Sequence, residues 1–431
     1  MEVFYDYQRK VFCSKNSDGN WLREGADNLS RWMVAKRIAK DRDHASMICG
    51  HAMDTRSVDW SAPLAGYPEG YRTMGDARLL ITAGPKLITA CAGEWPTIRG
   101  LLFGLFAGDA AAEQFNSFVL WIKHRVQMLE NVSWRSGHIL CLVGPVGCGK
   151  SLVQRLITEM LGGRVASPVA YFAGDASGFN AELFKAEHLA IEDEGSSTDP
   201  KSRLRMGDHW KRVAVNQDHR CHGKHQEALT LRPLWSCSVS LNDEGERLLV
   251  IPPMTADIVG KVMILKCSSP ADPFPTATDA AKAEYWRRLV SELPAFLAYC
   301  QTLAVVVKDT ETRDERDERS RFGFVAYRSP AIITDVTGHA PERQLLELID
   351  LVCFGGTDPA KVVLSLVEWE IMLTTDTRYG KKVAKLLDWS GALMTYFKRL
   401  KGERDPRVKH IRDRTSRTWE VSREKGEDAD Q

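Results

Sequence analysis

Hydrophobic and polar positions follow different patterns in successive parts of the chain. Residues 1–115 hold short apolar runs broken by glycine and proline, and we predict a mostly α-helical N-terminal region there, with an accessory or oligomerisation role. Residues 116–130 carry apolar side chains at helical spacing. Residues 138–267 alternate strand-like and helix-like segments. That alternation predicts an α/β domain, 116–307, built on a parallel sheet with crossover helices.

Helical patterns continue beyond this domain core. Residues 278–293 and 294–307 read as two helices, the second with Pro294 in its first turn, where proline is tolerated. A run of charges at 308–321 then predicts a charged linker or an exposed helix. It separates the α/β domain from a C-terminal region, 322–431.

The C-terminal region ends in a pattern typical of a winged-helix domain. Residues 381–421 predict two helices joined by a tight turn, the second over roughly 389–400, followed by a hairpin with strands near 407–412 and 417–421. Basic residues crowd the helix end and the hairpin: Lys398, Arg399, Lys401, Arg407, Lys409, Arg412, Arg414 and Arg417. This charge suits the phosphates of duplex DNA, although winged helices also serve protein contacts.

Composition changes this picture little. The chain of 431 residues is 44% hydrophobic and 27% charged, with a net charge of +1, so nucleic-acid binding would depend on local basic patches. Its ten cysteines include no Cys-x-x-Cys pair, which favours a reducing compartment. The first residues lack an apolar signal core and no apolar run reaches about 18 residues. We therefore expect a cytoplasmic protein with no membrane partner.

A glycine-rich loop carries the clearest chemistry. Residues 144–151 match G-x-x-x-x-G-K-S in full, between an apolar strand and an amphipathic helix: Gly144, Pro145, Val146, Gly147, Cys148, Gly149, Lys150 and Ser151. Backbone N–H groups of such a loop surround phosphates at a helix N-terminus. Lys150 would reach the β- and γ-phosphates of ATP, and Ser151 would hold Mg²⁺.

An acidic strand end supplies the second element of a hydrolytic site. Glu192, Asp193 and Glu194 follow the apolar run that begins near residue 188. Asp193 would bind Mg²⁺ directly or through water, and Glu194 would polarise the attacking water. Two adjacent acids favour ATP hydrolysis over phosphoryl transfer to a small acceptor.

Between this strand and the next, residues 210–233 predict a hairpin. Its tip carries Arg220, His222, Lys224 and His225. These side chains suit contact with the phosphate backbone of a nucleic acid without recognition of its bases. Two other interpretations stay open: a zinc site at His219, Cys221, His222 and His225, and a plain solvated hairpin. The following β-like run ends in Asn242, an amide that could orient water beside the γ-phosphate.

The order of these elements resembles superfamily 3 helicases, which are AAA+ ring motors of small viruses, phages and plasmids. The resemblance is specific over about 138–267; elsewhere the chain looks like the helicase part of phage and plasmid primase-helicase proteins. It implies an AAA+ P-loop core, catalytic roles for Lys150, Asp193, Glu194 and Asn242, and Lys224 with His225 in a central channel. It also implies a trans-acting arginine, in whose place this chain offers Lys261 or Arg247.

The resemblance leads us to expect an ATP-dependent DNA helicase for replication of a phage, prophage or plasmid in a bacterial host. It would form a hexameric ring on single-stranded and forked DNA, with priming or initiation supplied by a separate protein. Two alternatives stay open: an ATPase that loads or packages DNA without unwinding it, and a DNA-binding regulator whose oligomeric state ATP sets.

Overall fold

The computed structural model divides the chain into two compact units, Met1–Ile332 and Ile333–Gln431, called here the first and second units. It describes residues 2–108, 110–173, 178–192, 200–271, 274–275, 277–338, 340–355, 359–402, 405–412 and 417–423.

The N-terminal part of the first unit is mixed, so the prediction of a mostly α-helical region was wrong. Its strands are β1 (Val3–Asp6), β2 (Val11–Lys15), β3 (Trp21–Glu24), β4 (Ser57–Val58), β5 (Trp60–Ser61), β6 (Gly70–Met74) and β7 (Ala77–Ile81). Its helices are α1 (Ala26–Ala35), α2 (Arg42–Thr55) and α3 (Pro96–Leu105). The strands form two sheets, in the orders β3-β2-β1-β4 and β5-β7-β6. Apolar runs of four or five residues between turn residues are too short for stable helices and here lie in short strands.

The centre of the first unit is a parallel sheet, as predicted. The sheet strands are β8 (Ile139–Val143), β9 (Val165–Ala166), β10 (His188–Ile191), β13 (Ser236–Leu241) and β14 (Val262–Lys266). A separate hairpin consists of β11 (His219–Cys221) and β12 (Leu229–Leu231). The sheet order is β14-β8-β13-β10-β9, all parallel, with β11 and β12 paired apart from it. Every residue of β8 and β13 is buried, as expected for a parallel sheet covered on both faces.

Helices cover this sheet: α4 (Ala111–Glu130), α5 (Lys150–Met160), α6 (Val169–Ala173), α7 (Pro200–Val215), α8 (Gly245–Leu248), α9 (Ala256–Val259), α10 (Asp279–Thr302) and α11 (Arg313–Phe322), with a 3₁₀ turn at Leu183–Lys185. The two helices predicted at 278–293 and 294–307 are one, α10, with Pro294 inside it. Buried Leu293, Phe296 and Leu297 hold the helix across the proline, and the Pro294 carbonyl accepts from the Cys91 N–H at 3.1 Å.

The charge run at 308–321 lies largely in α11. A capping box of Thr312 and Glu315 begins this helix, and Gly323 at φ 92° ends it. Its last residue, Phe322, is buried with its ring centroid 4.2 Å from that of His138. The run is therefore largely a helix of the first unit, in which Glu318 bonds the buried His138 while Arg313, Asp314 and Asp317 are exposed.

Helix α12 (Pro330–Gly338) spans the division. The second unit then contains α13 (Pro341–Cys353), β15 (Lys361–Ser365), α14 (Leu366–Thr375), α15 (Gly380–Leu386), α16 (Ala392–Gly402), β16 (Val408–Arg412) and β17 (Arg417–Ser422). Its sheet is antiparallel, in the order β15-β17-β16, over a core that includes Trp369, Tyr396, Phe397 and Trp419. None of the helices in the described parts of the chain has the length and apolar character needed to cross a membrane.

Candidate nucleotide and nucleic-acid site

The glycine-rich loop joins β8 to α5 at the carboxyl edge of the parallel sheet. Gly147 and Gly149 have φ values of 78° and 108°, a region that favours glycine. A Cβ on Gly144 would lie 2.2 Å from the carbonyl oxygen of Cys267, and one on Gly149 would lie 2.9 Å from the Phe274 ring. The loop conformation thus favours glycine at 147 for its backbone, requires it at 144 for space, and requires it at 149 for both reasons.

Lys150 brings two predicted site residues together. Its side chain is buried, and its Nζ donates to the carbonyl oxygens of Gly144 and Pro145, both at 2.7 Å. The same Nζ donates to Oδ1 of Asn242 at 3.1 Å. Asn242 directly follows β13, which lies beside β8, and the Gly144 N–H donates to the Leu241 carbonyl at 3.2 Å. The loop and the Asn strand therefore meet at one point of the sheet edge.

A thiol inside the loop is unusually acidic. Cys148 is buried, and a hydrogen bond from Cys267, followed by the nearby Lys150 charge, lowers its pKa to about 6 against the opposing effect of burial. The Cys148 Sγ lies 3.8 Å from Lys150 Nζ. At pH 7 the loop consequently holds a thiolate beside its ammonium group.

Behind the loop, a buried polar chain ties α5 to the two neighbouring strands. Gln154 Nε2 donates to the Ile191 carbonyl at 3.2 Å and to Ser238 Oγ at 2.9 Å. His188 Nε2 lies 2.8 Å from the same Oγ, and its Nδ1 lies 2.8 Å from Thr158 Oγ1. Burial lowers the pKa of His188 to about 3, so the ring is neutral at pH 7. Sequence reasoning missed this set of hydrogen-bonded side chains, because no sequence motif marks it.

The acidic segment is described only in part. Strand β10, in register with β13 through Ile191 and Val239, brings the exposed Glu192 to the same sheet edge. Asp193 and Glu194 lie outside the described residues.

The predicted hairpin exists but is shorter than 210–233. Its first run, 210–215, belongs to α7, where Trp210 and Ala214 are buried four residues apart on one helical face. Strands β11 and β12 pair Cys221 with Leu229, and residues 222–228 form the tip. Lys224 and His225 are exposed there, and His225 adopts φ 58°.

Asn180 braces this hairpin, another contact that the sequence did not reveal. Its Oδ1 accepts from the His222 N–H at 2.7 Å, and its Nδ2 donates to the Arg220 carbonyl at 2.9 Å. The neighbouring Phe179 is 42% exposed, with its ring 5.1 Å from that of His222. An exposed aromatic ring thus accompanies the basic tip.

No zinc site is formed among the described residues: no group of three or more His, Cys, Asp or Glu side chains there could hold a metal ion. This includes His219, Cys221, His222 and His225. Burial raises the pKa of Cys221 to about 12, so its thiol is protonated.

Lys261 and Arg247 lie in different places. Lys261 directly precedes β14, and its carbonyl accepts from the Ile139 N–H, at the amino end of β8 and away from the glycine-rich loop. Its Nζ donates to the Asp257 carbonyl, and its pKa is lowered, mainly by burial. Arg247 lies in α8, just after Asn242.

The basic end of the second unit is partly neutralised. Arg399 pairs with Glu342 at 3.3 Å, Arg407 bonds Asp350, and Lys409 lies 3.7 Å from Glu420. Arg412 and Arg417 are exposed and directly opposite each other on β16 and β17. Arg414 lies outside the described residues.

Comparison with known proteins supports the fold. No family model matches the chain, and no curated protein matches it. An apo structure of the NrS-1 C terminal region matches with a TM-score of 0.55 at 12% identity, over 98% of this chain and 96% of that chain. A second apo structure of that region, residues 305–718, gives 0.54 at 12% identity over 98% and 95%. The "SCCmec type IV Cch - active helicase" scores only 0.35, at 9% identity over 94% and 72%, too low to carry an argument. The chain shares the fold of the NrS-1 C terminal region.

Proposed function

We propose that this protein is an ATP-dependent DNA helicase that draws single-stranded DNA through an oligomeric ring. The observation that carries the proposal is the 3.1 Å contact between Lys150 Nζ and Asn242 Oδ1. It joins a phosphate-binding loop to a polar strand tip, with the exposed basic hairpin in the sequence between them. The loop alone would not distinguish a helicase from a kinase or a transporter.

The residues of the loop suit a nucleoside triphosphate. Helix α5 begins at Lys150 without a side-chain cap, so its first N–H groups and its dipole are available to phosphate oxygens. A Cβ on Gly147 would meet nothing within 4 Å, so the backbone is open on that side. Lys150 would exchange its contacts with the Gly144 and Pro145 carbonyls for the β- and γ-phosphates of ATP.

The proposed catalytic roles are those that the resemblance implies. The Ser151 hydroxyl and Asp193 would hold Mg²⁺, which when bound neutralises phosphate charge. Glu194 would polarise the attacking water, and Asn242 would orient it beside the γ-phosphate. Arg247 or Lys261 would act on the neighbouring subunit's ATP in a hexamer.

The hairpin tip would grip the DNA. Lys224 and His225 are exposed, and the hairpin is tied through Asn180 to the segment that precedes β10. Movement of this hairpin with each ATP cycle would pull one strand. We place this activity in replication of a phage, prophage or plasmid, on forked DNA, with a separate primase or initiator.

The test is ATP hydrolysis by the purified protein with and without single-stranded DNA, together with release of a labelled strand from a forked duplex. Lys150→Ala is the blank, and Lys36→Ala, an exposed lysine on α1's C-terminal side, is the matched control. We expect DNA to stimulate hydrolysis, strand release to require ATP, and both to vanish only in Lys150→Ala.

Other outcomes would replace the proposal. Stimulated hydrolysis without strand release would indicate a loader or packaging ATPase. A protein whose DNA function survives Glu194→Gln would be a regulator rather than a motor.

A further inference from the structure

A second polar feature lies at the base of the same hairpin. A pocket of about 220 Å³ is bounded by α6, α7, β11 and the start of β13, and we call it the hairpin-base pocket. Rings make up much of its wall: Tyr171, Phe172, His209, His219 and Trp235. Ring centroids are 4.7 Å apart for Tyr171 and His209, and 4.8 Å apart for His219 and Trp235. The pocket thus offers flat, polarisable surface to a flat ligand.

The charge around this wall is positive. Arg212, near the end of α7, and Arg220, in β11, both line the pocket and are exposed. Within the described part of the chain, neither forms a recorded ion pair. The one carboxylate among the described lining residues, Asp218, accepts from Arg232 at 3.0 and 3.3 Å and is already neutralised. Arg212 and Arg220 therefore supply the positive charge at this pocket.

The two histidines do not add charge. Burial, as the main cause, lowers the pKa of His209 and of His219 below the ordinary value. Both shifts favour the uncharged ring, so the two rings belong with the aromatic wall rather than with the cationic rim.

We propose that the hairpin-base pocket binds one nucleotide of single-stranded DNA, with its base against the ring wall and its phosphodiester at Arg212 and Arg220. Aromatic walls beside cations are how single strands are held without sequence reading. The inference rests on the proposed function, since β11 carries both this pocket and the tip with Lys224.

Little base preference is expected. Asn180 also lines the pocket, but its oxygen and one of its N–H groups are engaged by the hairpin backbone. Stacking on rings accepts any base, because every base has a π-face.

The test is anisotropy of a labelled 20-nucleotide oligothymidylate bound to the full chain, measured over a series of salt concentrations. Arg212→Ala and Arg220→Ala should each weaken binding and flatten the log–log salt slope by about 0.7 per lost phosphate contact. Arg31→Ala, an exposed arginine on α1, is the matched control and should leave both unchanged.

The base contact is tested separately at Tyr171. Tyr171→Ala should weaken binding by about five- to hundred-fold, and Tyr171→Phe, which keeps the ring, should not. A strand with abasic sites should bind the wild type more weakly, and Tyr171→Ala should abolish this difference. Melting temperatures are measured throughout, and the exposed arginines carry the test if Tyr171→Ala is unstable.

The outcomes separate the two proposals. If both arginine variants match Arg31→Ala while Lys224→Ala weakens binding, the pocket is not a DNA site and the helicase proposal stands. If the wild-type chain binds no single-stranded DNA, both fail.

Discussion

A basic hairpin in the first unit, β11–β12, and one in the second unit, β16–β17, differ in how much of their charge is available. In the first unit, Lys224 and His225 are exposed at the tip of β11–β12, and Asn180 braces the strand beneath them. In the second unit, Lys409 on β16 is paired with Glu420, and Arg407 beside it bonds Asp350. The second hairpin therefore has fewer basic side chains available to contact DNA than its number of basic residues indicates.

The interiors differ as well. The first unit buries hydrogen-bonded polar groups, including Gln154, His188 and His138. The second unit has a core rich in aromatic rings, in which Trp369 and Tyr396 are fully buried. Buried polar groups are favourable only while their partners are kept. The described histidines whose pKa values are lowered most, His124, His138 and His188, all lie in the unit that holds the glycine-rich loop.

The largest expected effect tests the hairpins. Lys224→Ala should abolish unwinding of a forked duplex while leaving ATP hydrolysis without DNA largely intact, because Lys224 is an exposed residue of the hairpin tip and not part of the glycine-rich loop. Lys409→Ala, at a lysine of the second hairpin that lies 3.7 Å from Glu420, is the control and should unwind normally. Strand release by both variants at the wild-type rate would refute the assignment of the first hairpin.

Lowering the pH should destabilise the first unit more than the second. Burial lowers the pKa of His124 and of His138 to about 4, and that of His188 to about 3. The unfolded chain, whose histidines titrate near 6.5, then binds about three more protons than the folded one between those values. Stability of the first unit is complete above about pH 6.5 and should fall below it by up to about 4 kcal/mol per pH unit.

Urea unfolding at several pH values, followed by hydrogen exchange in β8 and β10 against α16, measures this. His188→Gln should lower the pH slope by up to about 1.4 kcal/mol per pH unit, and the exposed-site control His51→Gln should not change it. Equal slopes in the two units would contradict the comparison.

A cavity in the second unit should leave the first intact. Trp369 is fully buried, and its Nε1 donates to the Trp419 carbonyl at 3.0 Å. Trp369→Ala should cost the second unit about 3–5 kcal/mol. Val367→Ala, 67% exposed, should change stability by less than about 0.5 kcal/mol. Hydrogen-exchange rates in both units and ATP hydrolysis without DNA are measured for each variant. A loss of ATP hydrolysis in Trp369→Ala would show that the stabilities of the two units are coupled.

The smallest effect concerns duplex binding. Arg412→Ala and Arg417→Ala should each reduce the log–log salt slope by about 0.9 if they contact phosphates. Arg407→Ala, whose guanidinium bonds Asp350, should instead lower stability and leave the slope unchanged. Identical slopes for all three would make this hairpin a protein-contact surface.

The sequence predicted the features that depend on local pattern. The loop at 144–151, the buried strand before it and the mixed α/β class with a parallel sheet all follow from short-range spacing. Features that depend on distant partners were missed or misplaced. Strand β1 pairs with β4, more than 50 residues away, and no local pattern predicts that sheet.

Two errors came from reading local rules too strictly. Pro294 suggested a helix start, but the buried side chains around it hold one continuous α10. The run at 210–215 looked alternating, but Trp210 and Ala214 share a helical face. At the candidate site, Asn180 was invisible because its role lies in contacts with a hairpin 40 residues later.

The packing of the glycine-rich loop also bears on how a mutational scan of this gene should be interpreted. At position 144, any side chain would enter the space of the Cys267 carbonyl, 2.2 Å from the built Cβ. At position 147 there is room, and only the left-handed backbone restricts the choice, so asparagine is the substitution most readily accepted. A library selected for folding alone should therefore already fix glycine at 144 but not at 147. Intolerance at 147 that emerges only under selection for growth would be a signature of the nucleotide.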